Sequence, residues 1–430
     1  MTGQQTLIAR GALGVFAGIT SGVACSSSFP RRLSKADFDR GVRLAFSISR
    51  LGLFGLIFFL FRIPPRGDVP SYYWPEAQSV LHGLLPYRDF PSSYAPLHPY
   101  LDALAIRIWH NPLAITFLAI LIEITLLPLW FRFGRKILSE TEIRAAALLY
   151  LCSAISLQFV TVDGQDTVIV GVFVTLSLFF LSRGKELFSG ASIGTAVATI
   201  KFLPLLYIPA FFLSLPRRWR WALGSAVPIL VTYGAFVAMH LQILMPLQLE
   251  GDRKGAGSLP YVVESLLGVT VPSRIWDLLL IVVLAAIFIL LARTLQGATP
   301  EARLRGMVFA IAALSLALLF FSKKSWPPYL MLTLFPICLS IDARRWLHVV
   351  GLQGFSVVAV IEHSYWATIL NQLTAQDLHR GLLSGHAVYF VFLTLELALV
   401  SGYGWLIALA LRKICSATRF DLSLSTLPGS

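Results

Sequence analysis

The sequence has little charge and few cysteines. Only 13% of its 430 residues are Asp, Glu, Lys or Arg, about half the usual share in a soluble domain. Four cysteines are scattered along the chain with no close pair, so we expect neither a disulfide framework nor a cysteine metal site. With 56% hydrophobic residues, this composition excludes a disordered chain, a nucleic-acid-binding protein and a soluble enzyme of this length.

Long hydrophobic runs make up most of the sequence. A membrane-spanning helix needs about 20 mostly apolar residues. The sequence therefore predicts an all-α, polytopic transmembrane bundle of about twelve segments over residues 42–411, with a cytoplasmic N-terminal segment at 1–41 and a cytoplasmic tail at 412–430. The expected segments are 42–62, 112–132, 144–162, 166–182, 188–200, 202–215, 221–241, 275–294, 305–322, 326–342, 346–361 and 386–411.

The N-terminal segment has two interpretations. Residues 11–25 are weakly apolar and end in Gly-Val-Ala-Cys, which suggests a secretory or lipoprotein signal. Gly22 stands where a lipoprotein signal has Leu, however, and basic residues that belong in the cytoplasm follow. We expect an uncleaved cytoplasmic segment that is poorly ordered or lies in the membrane interface.

The distribution of basic residues predicts the orientation. The net charge is +13, and most Lys and Arg fall on the cytoplasmic side when the N-terminus is placed there, as the positive-inside rule requires. The long loops 63–111, 242–274 and 362–385 are then external. They hold most of the polar residues outside the membrane, so we expect the functional chemistry on that side.

The first external loop carries the most specific pattern. Pro64-Pro65 ends the first span and Asp68 follows directly. Two short helices, at about 74–85 and 97–109, are predicted to lie in the interface because they are amphipathic or too short to span. Between them stand G-x-x-P-Y-R-D-F at 83–90 and Y-x-P-L at 94–97.

These motifs resemble the GT-C superfamily of membrane glycosyltransferases, most closely glycosyltransferase family 87. The P-Y-R-D-F stretch is shared with families 39 and 83. Two more passages are similar to family 87: Gly164-Gln165-Asp166 followed by Gly194-(x6)-Lys201-Phe202-x-Pro204, and residues 322–330, where Pro328 replaces the usual Gln. The resemblance covers residues 45–340.

The resemblance implies an inverting enzyme that moves a hexose, mannose above all, from a polyprenyl-phosphate carrier to a lipid or glycan acceptor. The reaction would take place on the external face of a cell membrane, typically the bacterial inner membrane. Asp68 would be the base that removes the proton of the acceptor hydroxyl. Without the resemblance, Asp68 would be read as a solvated acid at a helix end.

Other charged residues receive supporting roles. Acceptor-binding or secondary acids are Glu76, Asp89 and Glu264. Cations that would bind the donor phosphate and stabilise its charge as it leaves are Lys201, Lys324, Arg253 and Arg88. Asp89 beside Arg88 is equally consistent with a structural ion pair.

No cofactor is expected. The external histidines His98, His110 and His240 have no metal-ligand spacing, so no metal site is assigned; a divalent ion held by Asp68 and the donor phosphate stays an alternative. The alternative function is a secondary transporter or a flippase for lipid-linked sugars. A transporter usually contains internal repeats, and none is evident. A catalytically inactive scaffold is a third hypothesis.

Overall fold

The computed structural model describes residues 3–26, 32–215, 217–251 and 255–417. Over these residues the chain is all-α, as predicted, and forms no β-strand. The α-helices are α1 (Gly3–Ser26), α2 (Lys35–Gly55), α3 (Trp74–Leu81), α4 (His98–Ile108), α5 (Leu113–Ile124), α6 (Leu126–Phe133), α7 (Glu140–Leu151), α8 (Thr167–Leu181), α9 (Glu186–Thr199), α10 (Ile208–Ser214), α11 (Arg218–Ala238), α12 (Met245–Gly251), α13 (Leu259–Leu267), α14 (Ser273–Thr294), α15 (Pro300–Phe321), α16 (Leu334–Ser340), α17 (Trp346–Thr368), α18 (Ala375–Leu383) and α19 (Ala387–Ser416).

Shorter helical turns complete the described chain. π-Helical turns occur at Leu56–Leu60, Val69–Tyr73 and Ser156–Val162. Turns of 3₁₀-helix occur at Gly134–Lys136, Leu203–Tyr207 and Pro327–Leu332.

Eight helical stretches in the described residues are long and apolar enough to cross a membrane, and a ninth is obtained if Glu140–Leu151 and Ser156–Val162 form one span. The eight are Gly3–Ser26, Lys35–Leu60, Leu113–Lys136, Arg218–Ala238, Ser273–Thr294, Pro300–Phe321, Trp346–Thr368 and Ala387–Ser416. The described chain therefore has the long apolar helices of a membrane protein, but the twelve expected segments are not all long helices.

Five expected segments form shorter pieces: 144–162, 166–182, 188–200, 202–215 and 326–342. Prolines explain two of them. Pro204 and Pro209 lie in the fourth, and Pro327, Pro328 and Pro336 lie in the fifth, and a proline inside a helix removes a hydrogen bond and breaks it.

The N-terminal segment was expected to be poorly ordered or to lie in the membrane interface. It contains an ordered 24-residue helix, α1, that meets the length and hydropathy of a span. Polar contacts fix it against α17: Gln353 donates a hydrogen bond to Ser21 (2.9 Å) and Arg10 donates to Ser364 (2.9 Å). Sequence alone underestimated this helix because its small residues are only weakly apolar, yet they allow close packing.

The chain divides into two compact units. The terminal unit comprises Met1–Leu33, Ser139–Ile155 and Lys254–Ser430. Its core is α15, which is buried along most of its length and packs against α14 and α19. Inside this unit the carboxylate of Glu396 accepts hydrogen bonds from the backbone N–H of Gly257 at 2.9 and 3.1 Å.

The central unit comprises Ser34–Leu138 and Ser156–Arg253. Its closest helix pair is α9 with α11, which pack through Gly190 and Gly194. A Cβ at these positions would lie 2.0 Å from the carbonyl oxygen of Trp221 and 2.2 Å from that of Ser225. Glycines four residues apart let two helix backbones touch, and this contact fixes the end of α9, just before Lys201.

A buried ion pair neutralises one intramembrane acid of the central unit. Arg50 donates a hydrogen bond to Ser156 (2.6 Å), which donates to Glu123 (2.5 Å), and Arg50 Nε lies 3.7 Å from Glu123 Oε2. Both charged side chains are fully buried. Since a carboxylate alone in hydrocarbon is costly, the pair explains how α5 carries Glu123.

Candidate functional site

Asp68 lies where a π-helical turn meets the loop 163–166. It immediately precedes the turn Val69–Tyr73 that leads into α3, and its side chain is half-buried. Its Oδ2 accepts a hydrogen bond from Nε2 of Gln165 at 3.0 Å. Gln165 belongs to the loop 163–166, which follows the second π turn, Ser156–Val162. π-Turns interrupt regular helices and often mark functional sites.

Glycine is required in this loop. Gly164 has φ +66°, and a Cβ there would lie 2.5 Å from Thr116 Oγ1 and 2.7 Å from Val69 Cγ2. Such distances are far below van der Waals contact, and a positive φ is strained for other residues. Gly164 thus lets the loop lie directly against the residue that follows Asp68.

The next loop residue connects to Lys201. Asp166 Oδ1 accepts a hydrogen bond from Lys201 Nζ at 2.9 Å, and the two side chains are 4% and 13% exposed. Burial by itself raises the pKa of Asp166, but the charges of Lys201 and His98 outweigh it and hold this pKa well below its usual value. Lys201 also lies over the ring of Tyr94, 5.0 Å from the centroid, in cation–π geometry.

Backbone hydrogen bonds hold the first external loop against Lys201. The N–H of Ala95 donates to the carbonyl of Ile200, and the N–H of Leu97 donates to that of Ala198, both at 3.1 Å. These bonds explain why Tyr94, from a motif a hundred residues earlier, lies beside Lys201. They satisfy carbonyl groups at the end of α9 that have no partner inside the helix.

A buried histidine extends the cluster. His98 Nε2 lies 3.2 Å from Asp166 Oδ2, its Nδ1 lies 3.5 Å from Asp102 Oδ2, and its ring stacks on Tyr94 with centroids 4.4 Å apart. Burial alone would lower the pKa of His98, but Asp102 and Asp166 together raise it. Burial raises the pKa of Asp102 to about 7 despite the opposing charge of His98.

Glu76 is the second expected carboxyl that joins this part of the molecule. It is buried on α3 and accepts a hydrogen bond from Ser92 at 2.7 Å. Burial raises its pKa to about 7. Near neutral pH it is therefore partly protonated, in contrast to the charged Asp166.

Arg88 and Asp89 form a local pair at the surface. Arg88 Nη2 lies 2.8 Å from Asp89 Oδ2, and the Arg88 side chain is 57% exposed. Asp89 also accepts a hydrogen bond from the backbone N–H of Leu85 at 2.8 Å. Arg88 and the Leu85 bond lower the pKa of Asp89. The contacts of this pair stabilise its own turn.

The remaining expected residues belong to the terminal unit or lie outside the description. Glu264 forms an ion pair with Lys323 at 2.6 Å and accepts a hydrogen bond from the backbone N–H of Val271 at 3.2 Å. Lys324 is half-buried in the neighbouring segment. Arg253 lies outside the described residues.

Sequence reasoning assigned no role to His98, Asp102, Gln165 and Asp166, although Gln165 and Asp166 belong to one of the passages on which the resemblance rests. A second signal was the spacing of His98 and Asp102, four residues apart, which places two side chains on the same face of a helix. In the described ranges, no group of three or more His, Cys, Asp or Glu side chains is arranged to hold a metal ion.

Comparison of the chain with family models, with curated proteins and with solved structures gave no match.

Proposed function

We propose that this chain is a membrane glycosyltransferase of the GT-C type, which transfers a hexose, mannose first of all, from a polyprenyl-phosphate donor to a lipid or glycan acceptor at the external membrane face. One observation carries the proposal. The loop 164–166 joins the Asp68 carboxylate, through Gln165, to the Lys201 ammonium, through Asp166. An inverting transfer from a lipid phosphate needs a base and a cation of this kind.

The chemistry assigns each group a step. The acceptor hydroxyl attacks the anomeric carbon of the sugar while Asp68 takes its proton. The bond between the anomeric carbon and the phosphate oxygen breaks on the opposite side, and the lipid phosphate leaves with an added negative charge. Lys201 stabilises this charge, which is larger in the transition state than in the bound donor.

Gln165 gives Asp68 a fixed direction. The amide N–H of Gln165 donates to one carboxylate oxygen of Asp68, and a carboxylate has lone pairs enough to accept a proton as well. Because the Gln165 side chain is uncharged, it orients Asp68 without adding a charge. Half-burial keeps the carboxylate reachable from water or from the membrane surface.

Other expected residues enter the proposal in supporting positions. Glu76 is the alternative base, since its pKa of about 7 suits proton transfer near neutral pH. Glu264 and Lys324 belong to the terminal unit, and their roles stay predictions. The Arg50–Glu123 pair neutralises one carboxylate that the alternative, a proton-coupled transporter, could titrate; such a transporter would have to use the buried Glu362 and Glu396.

The test is transfer of radiolabelled sugar from polyprenyl-phosphate donors in membranes that contain the full chain. Asp68→Asn keeps the shape and the hydrogen bond to Gln165 but removes the proton acceptor. We expect transfer to fall by about 10²–10⁴-fold while donor binding persists. Asp342→Asn, which breaks a surface ion pair with Arg345, is the matched control and keeps transfer within about twofold of wild type, since surface ion pairs contribute little.

Two outcomes would contradict the assignment. Substantial transfer by Asp68→Asn together with its loss in Glu76→Gln would make Glu76 the base. Absence of label transfer from every polyprenyl-phosphate sugar by the wild-type protein, in membranes where it is folded, would exclude the glycosyltransferase itself.

A further inference from the structure

A buried histidine shares a carboxylate with Lys201. Asp166 uses Oδ1 for Lys201 at 2.9 Å and Oδ2 for His98 Nε2 at 3.2 Å. His98 is 1% exposed, and its other ring nitrogen lies 3.5 Å from Asp102 Oδ2. A buried histidine between two carboxyl groups is a costly arrangement, and the mechanism above does not use it.

We propose that His98, which lies between Asp102 and Asp166, is a positioning residue that shares the negative charge of Asp166 with Lys201 and thereby makes anion binding at Lys201 depend on pH. This inference rests on the proposed function, because it takes the anion to be the phosphodiester of the lipid donor.

The charges explain the effect. With Lys201 as its only partner, Asp166 would cancel the lysine charge. When His98 is protonated and Asp102 is neutral, the four groups together carry one positive charge, which favours an anion. Loss of the first proton brings the sum to zero, and loss of the second makes it negative.

The direction of the pH dependence follows. Burial raises the pKa of Asp102 to about 7, and the pKa of His98 is also raised by the two carboxyl groups despite its burial. Both protons are therefore lost as the pH rises through neutrality and above. Each loss adds negative charge beside the site, so anion affinity falls as the pH rises.

Several other groups face the imidazole of His98 and belong to different elements. Glu76 on α3 acts through its charge, and it titrates in the same direction because burial raises its pKa to about 7. The aromatic neighbours are Tyr73 at 5.0 Å and Tyr94 at 4.4 Å between ring centroids. A Glu76→Gln variant is therefore needed to separate the two titrations.

Binding of a sugar-free probe tests the proposal. A short-chain prenyl methyl phosphodiester carries one negative charge at every pH used, so any pH dependence comes from the protein. It is titrated into the purified full chain in detergent between pH 6 and pH 8.5. We expect the wild-type affinity to fall at least about fivefold over this range, the lower end of typical coupling between two binding events.

The variants separate the candidates for this effect. His98→Asn is expected to show a smaller pH dependence than wild type over the same range, because only the Asp102 proton is left to couple to anion binding. Glu76→Gln is expected to keep most of the dependence, and so is His110→Asn, which removes an exposed histidine of the same loop. A flat wild-type curve, or an unchanged dependence in His98→Asn, overturns the proposal.

The pKa of His98 is a second readout, and it does not depend on sugar transfer. Linkage is reciprocal, so binding of the phosphodiester must raise the pKa of His98, read from its ring resonances, by about 0.7 for a fivefold effect. Asp102→Asn keeps the size and polarity of the side chain 3.5 Å from the ring but removes its charge. This variant must lower the pKa of His98 and move the fall in affinity to lower pH. The test therefore stays decisive if His98→Asn does not fold. An unchanged pKa of His98 in Asp102→Asn contradicts the proposal.

Failure of the two proposals can be told apart. If no sugar is transferred but the probe binds with the expected pH dependence, the glycosyltransferase proposal fails and the inference about His98 stands for an anion site. If sugar is transferred and probe binding is independent of pH, the inference fails alone.

Discussion

Lys201 has two separable roles, and a double-mutant cycle with Asp166 distinguishes them. As a structural partner it neutralises a buried carboxylate that is only 4% exposed. As a donor ligand it binds the phosphate of the substrate. Lys201→Met removes both roles, so its effect on transfer alone is ambiguous.

The structure gives the expected magnitudes. Removing one partner of a buried ion pair costs about 3–5 kcal/mol, because the other charge is left uncompensated. His98 still lies 3.2 Å from Asp166 in this variant, so we expect Lys201→Met to lower the free energy of unfolding by about 3 kcal/mol, the lower end of this range. Asp166→Asn costs less, since Lys201 is 13% exposed. The double variant Lys201→Met/Asp166→Asn removes both charges and should return to within about 1 kcal/mol of wild type.

The assay measures thermal unfolding of the purified protein in detergent and, on the same samples, binding of the prenyl methyl phosphodiester. Lys201→Met should lose both stability and binding, whereas the double variant should regain stability and still fail to bind. Asp166→Asn should bind at least as well as wild type, because Lys201 is no longer neutralised.

A second ion pair in the central unit supplies the matched control. Arg135 and Asp39 form two hydrogen bonds of 2.7 Å and are 22% and 18% exposed. The cycle Arg135→Met with Asp39→Asn should show a coupling in stability and no change in binding. If the Lys201→Met/Asp166→Asn variant regains both stability and phosphodiester binding, Lys201 is a structural partner only and the proposed phosphate site is wrong.

Two further predictions concern the loop and the topology. Gly164→Ala should reduce transfer strongly and lower the free energy of unfolding by about 2–4 kcal/mol, because of positive-φ strain and overpacking against Thr116 and Val69. Normal transfer and a normal melting temperature would show that the loop can shift without disturbing Asp68. Reporter fusions at residue 92 should read external and at residue 184 cytoplasmic, as the positive-inside rule requires; a cytoplasmic reading at 92 would overturn the orientation.

The hydrophobic runs predicted the fold class correctly and the segment count only in part. Helix formation needs local apolar sequence, so the long helices were visible directly. The pieces around Pro204 and Pro328 also read as apolar, but proline breaks them into short turns. In the opposite direction, α1 is weakly apolar and was not expected to be a long ordered helix. Its contacts with α17, such as the Ser21–Gln353 hydrogen bond, are invisible to a local measure.

The sequence by itself determined which residue types are present and where the apolar runs end: a carboxylate, Asp68, six residues after the run 42–62, and a lysine, Lys201, between two short apolar runs. Only the tertiary structure decided that both belong to one cluster. That depends on Gly164, whose positive φ lets the loop approach Val69, and on the glycine contact that fixes the end of α9. His98 shows the same limit, because its i,i+4 partner Asp102 is local, whereas Asp166 is brought to it by chain packing over long range. Local sequence determines where helices form, but contacts between residues a hundred positions apart depend on how closely the helix backbones and loops pack against each other.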